Sequence, residues 1–249
     1  MKTLHDLLES VAKPGRYIGG EVNQSIKDPG AVRARFALAF PDVYEIGMSH
    51  AGIRILYHVL NAMDGVWAQR VFAPWSDLAE RMGREGIPLS TLEEGRPLSR
   101  FDVVGFSLLY ELSYTTMLGM LRLGGIPLRA EERSASDPIV IAGGTFCANP
   151  NPVMEFLDLV VVGDGEEIVQ EMARICLATK DRAERIRAFS GIAGVYRPGD
   201  AKRPRRRVLA DLDAFPFPGN PVLPHIGIVH DRIGVEVARG CTRGCRFCQ

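Results

Sequence analysis

Five short apolar runs, each leading toward a helix-like segment, constrain the fold of this chain more than any other feature. They are residues 35–40, 66–73, 102–107, 138–142 and 158–162. Their apolar residues are continuous rather than alternating, which marks strands buried on both faces. After the first run, Ile53, Leu56, Tyr57 and Leu60 fall at i, i+3, i+4 and i+7, one face of a helix. Tyr114, Met117, Leu118 and Leu121 repeat the pattern after the third run, and Ile168, Val169, Met172 and Ile175 after the fifth. This alternation predicts an α/β fold with a doubly wound, parallel, five-stranded Rossmann- or flavodoxin-like sheet. The expected strand order is 2-1-3-4-5, with ligands bound outside the carboxyl ends of the strands.

Four segments are expected. Residues 1–30 form an N-terminal extension, a short helix followed by a stretch broken by Pro14, Gly15, Gly19, Gly20, Pro29 and Gly30. Residues 31–180 hold the α/β domain. Residues 181–225 carry a hairpin, with 194–197 and 206–209 as its arms, and then a Pro-rich linker. Residues 226–249 begin a further domain with an extended aliphatic run.

Composition excludes some classes of function. Thirty basic and thirty acidic residues cancel, so no global field favours nucleic acid or an anionic membrane. The N-terminus lacks a signal-peptide core and no apolar run reaches the roughly 20 residues of a membrane span, so a cytoplasmic location is expected. Three of the five cysteines lie within eight residues, a cluster that in a reducing compartment reads as metal binding.

These are Cys241, Cys245 and Cys248, spaced CxxxCxxC. Thiolates are soft anionic ligands suited to iron, and three of them leave one iron of a cubane open to an external molecule. Structural zinc takes four ligands and a thiol redox pair needs only CxxC, so the pattern favours an iron–sulfur cluster over either. With Phe247 before the last cysteine and the strand-like 234–237 ahead of the loop, the segment resembles the radical SAM superfamily. The resemblance implies a 4Fe–4S cluster whose open iron chelates S-adenosylmethionine and cleaves it to a 5′-deoxyadenosyl radical. The chain stops one residue past Cys248, whereas a barrel that binds S-adenosylmethionine needs about another 150–200 residues. The chain is therefore expected to be a fragment, or one half of a split protein whose partner chain carries the rest of the barrel. Alternatively it is a non-catalytic module that binds cobalamin or protein.

Read beside that superfamily, the α/β domain resembles the B12-binding-like domain found in front of some of its members. The likeness extends to residues 16–21 and the Phe-Pro linker. The family's DxHxxG loop corresponds to Asp42, Tyr44 and Gly47, with tyrosine where the cobalt-ligating histidine would stand. Its SxL corresponds to Ser107 and Leu109, and its GG to Gly143 and Gly144. Gly163, Asp164, Gly165 and Glu166 form an acidic glycine turn often seen in such proteins, although an ordinary helix N-terminus accounts for these acids equally well. The resemblance implies a corrinoid in the crevice, bound without histidine through position 44, and a radical methylation if cobalamin carries the methyl group. The substrate is unknown. His50 reads as a helix cap, Cys176 as core, and Trp67 and Trp75 as packing residues. Cys147 reads as a small buried hydrophobe, and the basic run 202–207 as a solvated tip.

Overall fold

The computed structural model describes residues 4–200, 204–215, 218–232 and 234–246, with side chains at all of these but 147 and 148. The elements follow in the order α1 (Leu4–Leu8), β1 (Ala34–Phe40), α2 (Tyr44–Gly47), α3 (Ala51–Asn61), β2 (Val66–Phe72) and α4 (Ser76–Glu85). Next come β3 (Val103–Ser107), α5 (Ser113–Leu123), β4 (Ile139–Gly143), β5 (Leu159–Val161), α6 (Glu166–Ala178), α7 (Arg182–Ser190) and β6 (Val195–Tyr196). The sheet order is β2-β1-β3-β4-β5-β6. Its first five strands are parallel in the expected order, and β6 adds an antiparallel edge. Phe36 lies between Ala68 of β2 and Val103 of β3, which fixes the register of the central strands.

The continuous apolar strands are explained by two cores. Phe36, Leu38 and Phe40 point to one face, where α3, α6 and α7 cover them. Ala37 and Ala39 point to the other, where α1, α4 and α5 pack. Burial on both faces removes the polar alternation that a one-sided sheet would show. The N-terminal extension does more than lie against the domain, because Leu7, Leu8 and Val11 are part of the second core. Among the described residues, no helix is long and apolar enough to cross a membrane.

Several expectations need correction. The 206–209 arm does not pair with 194–197. Val162 donates its amide to the Gly194 carbonyl (2.7 Å) and Arg207 donates its amide to the Val162 carbonyl (3.0 Å). Both arms thus satisfy backbone groups at the end of the three-residue strand β5, where lone polar groups would otherwise be buried. Trp75 is half exposed, held by the Arg16 guanidinium 5.2 Å over its ring. The aliphatic run from 226 onward forms no strand among the described residues. Its Val235 and Val237 are exposed. Instead the linker runs back beside the extension, with Val22 bridged to Leu223 and Asn23 Nδ2 donating to the Pro221 carbonyl (3.0 Å). Cys176 is fully buried and Trp67 nearly so, as expected. Residues 202–203, 216–217 and 247–249, and the side chain of Cys147, lie outside the described part.

Candidate functional site

Parallel strands end on one edge of the sheet, and a cavity of about 400 Å³ opens there. Its floor is the sheet itself, with Phe36, Leu38, Val103 and Ile141 around Gly105, which leaves the centre of β3 without a side chain. Ile55 and Leu56 of α3 and Val169 of α6 form the walls. The rim is the set of loops that follow the strands. It contains Ser107, Leu109, Gly143, Gly144, Gly163, Asp164, Gly165 and Glu166. Eight of the eleven crevice residues singled out in the sequence therefore surround one hollow. A slot with an apolar floor, glycine edges and a polar rim suits a flat ligand with a few hydrogen-bonding groups.

The rim is stitched together by backbone groups. Leu108 donates its amide to the Gly143 carbonyl (2.8 Å), and the Thr145 hydroxyl donates to the Leu109 carbonyl. Between them Gly144 adopts φ of 114°, and a Cβ there would sit 2.3 Å from the Leu108 carbonyl oxygen. Only glycine fits that corner.

The acidic turn closes the opposite side. Asp164 does not cap α6, whose N-cap is Gly165 with no side-chain bond. Asp164 accepts the Leu209 amide instead (2.9 Å). Glu166, the first residue of α6, is 3% exposed although it is an acid. Its partner is Arg239, whose Nη2 donates to Glu166 Oε1 at 2.5 Å. The same guanidinium meets Glu236 twice, at 2.7 and 2.8 Å, and lies 3.5 Å from Asp164. Hydrogen bonds to Glu236 and Glu166 hold the Arg239 proton more tightly than in free arginine. Glu236 and Arg239 also line the cavity. Neither stands out in the sequence, where the only signal is a charged pair three residues apart just ahead of Cys241.

Asp42, Tyr44 and Gly47 lie outside this cavity. Asp42 accepts from the Tyr110 hydroxyl (2.8 Å) and faces a separate groove with Trp75 and Leu112. Gly47 packs flush against the Phe72 ring. Tyr44 is 2% exposed and donates to Glu21 Oε1 (3.0 Å). Glu21 in turn pairs with Arg70 at 3.0 Å, and Arg70 holds Glu93 at 2.6 Å. Burial, together with the Glu21 charge, raises the Tyr44 phenol and keeps it protonated. Burial also pushes the Glu93 carboxyl up, against the pull of Arg70. The loop after β1 thus serves a buried polar network and presents no ligand at position 44.

His50 lines the cavity where sequence spacing gave no reason to place a ligand. It caps α3, its Nδ1 accepting the Ile53 amide at 3.3 Å. Burial lowers its basicity, so the ring is held neutral. With Nδ1 accepting, the remaining proton sits on Nε2.

Cys241 and Cys245 are exposed free thiols on the arm that carries Arg239. The Arg243 amide donates to Cys241 Sγ at 3.4 Å. Cys248 lies outside the described residues. Among the described residues no three potential ligands converge on a metal position. Cys241 and Cys245 are soft donors free of disulfides and of core packing, a chemistry that suits iron–sulfur ligation. Compared with known families, residues 52–198, more than half of the chain, match the family described as radical SAM proteins, N-terminal. No curated protein matches the chain.

Proposed function

The chain belongs to the radical SAM N-terminal family, and from that membership we propose that it is the N-terminal portion of an enzyme that cleaves S-adenosylmethionine. Cys241, Cys245 and Cys248 would hold a 4Fe–4S cluster, with one iron left for the amino acid end of S-adenosylmethionine. When bound and reduced by an external one-electron donor, the cluster would supply an electron to the sulfonium. The residues in front of it do different work. The crevice under Ser107, Gly143 and Gly144 supplies an apolar-floored slot that orients a second ligand, with Glu236 and Arg239 of the cluster arm along its lining.

The observation that supports the cluster most directly is the pair of exposed, uncommitted thiols in a CxxxCxxC spacing. The test is anaerobic reconstitution of the full natural protein with iron and sulfide. About four irons per chain and a visible charge-transfer band are expected, and both should fall in Cys241→Ala. Iron-free protein after reconstitution removes the reading.

For a corrinoid the fit is partial. An apolar floor with glycine edges would suit a flat nucleotide base, while Tyr44 is committed to Glu21 and offers no ligand to cobalt. We propose that a corrinoid, if it is the crevice ligand, binds through its tail alone with no axial ligand from the loop after β1. Titration with hydroxocobalamin tests this: binding without a spectrum of histidine ligation is expected. The substrate would then sit between the crevice and the cluster loop.

A further inference from the structure

We propose that Arg239 is the positioning residue of the cluster loop, fastening it to the acidic turn of the crevice so that the bound cluster faces the crevice ligand. The functional meaning of this fastening rests on the cluster reading given above; the fastening itself does not.

The observation is that, among the described residues, the segment has one polar anchor. Among the described residues, Arg239 makes every hydrogen bond and ion pair that joins 234–246 to the sheet domain. Apolar packing does not replace it, since Val235 and Val237 are 75% and 87% exposed. The anchor is built at both ends. On the arm, Glu236 grips the guanidinium at two nitrogens and fixes its direction. On the domain, Glu166 is buried at the start of α6 and Asp164 is held by the Leu209 amide. An exposed ion pair would contribute little. Here one guanidinium meets three carboxylates, and Glu166 is only 3% exposed, so the contact is better shielded than a surface ion pair. Arginine is suited to this because its planar fork can bond several carboxylates at fixed angles, which the lysine ammonium cannot. Cys241 follows two residues later, across Gly240. Wherever Arg239 is held, the first cluster thiolate must follow within the reach of two residues.

The test uses the full natural protein with a nitroxide on Arg174→Cys, an exposed site on α6. In reconstituted protein, the reduced cluster should shorten the nitroxide relaxation time by a single well-defined amount. Arg239→Ala should lose that uniform effect and give a spread of weaker ones. Arg239→Lys should restore part of it, and the exchange Arg239→Glu with Glu166→Arg should restore more than either single change. An unaltered relaxation effect in Arg239→Ala overturns the proposal, as does an exchange no better than its single parts. A second pair of labels, on Arg174→Cys and Val237→Cys with Cys241, Cys245 and Cys248 replaced by serine, reads the arm without any cluster. A narrow distance that broadens on Arg239→Ala is expected. The same width in both proteins overturns the anchor. If the natural protein takes up no iron, the cluster reading falls while the label pair still decides the anchor.

Discussion

His50 and Tyr44 stand six residues apart and are set for different work by their surroundings. His50 has an ordinary pKa of 6.5, lowered in the fold by burial. Below pH 6.5 the unfolded chain takes a proton that the folded imidazole refuses, so stability falls as pH drops through the window between the two values. Protonation also removes the Nδ1 lone pair that caps α3. Asparagine keeps a cap without titrating. His50→Asn should therefore lose less melting temperature between about pH 7 and pH 5 than the parent protein; equal losses would show that other groups govern acid sensitivity. Tyr44 invites the opposite experiment. Tyr44→His completes the DxHxxG pattern, yet position 44 points at Glu21 and packs edge-on against Phe72 with ring centres 5.4 Å apart. We expect no histidine-ligated cobalamin spectrum from this variant and a stability loss of about 1–3 kcal/mol, from the broken hydrogen bond and the poorer fit. A ligated spectrum would mean that the loop can turn outward.

At the scale of elements, the crevice depends on how β3 and β4 end. Gly143 and Gly144 look equivalent in the sequence, but their backbones differ. A Cβ on Gly143 would make ordinary contact with Val161 at 3.5 Å, whereas one on Gly144 would strike the Leu108 carbonyl at φ of 114°. Gly143→Ala should cost less than about 1 kcal/mol and Gly144→Ala about 2–4 kcal/mol in urea unfolding. Equal costs would show that the rim relaxes freely. The contrast marks what a sequence discloses. The five parallel strands were legible because burial on both faces writes itself as unbroken apolar runs, and the rim glycines because strand ends in such sheets follow fixed loops. The two-residue strand Val195–Tyr196 is too short to carry a pattern, and it pairs with β5 rather than with 206–209. The bond between Arg239 and Glu166 spans 73 residues and leaves no periodic trace. The burial of Tyr44 was hidden for a related reason: Glu21, Arg70 and Glu93 come from three separate segments and meet only in the fold.

At the scale of the whole molecule, the N-terminal extension and the linker at 221–226 lie side by side. The extension carries Glu21 into the buried network and Val22 into a bridge with Leu223. His225 reaches the Gly19 carbonyl at 3.2 Å, and Ile226 sits against Gly15. The path from the sheet domain to the cluster loop is thus laid on the first thirty residues before Arg239 catches its far end. Removing residues 1–22 should act on both. The core would lose Leu7, Leu8 and Val11, each worth about 1.5–3 kcal/mol of burial. Arg70 would keep Glu93 alone, a balanced pair, so the loss should come chiefly from apolar surface and not from stranded charge. The linker would lose its bed, and residues 218–226 should become protease-sensitive while the sheet still unfolds cooperatively, at lower urea. A shortened protein whose linker resists protease as the parent does would show that the path is set by the sheet domain itself. The cluster arm would then be held by Arg239 together with the contacts of Val229 and His230 to Glu45 and Ser49.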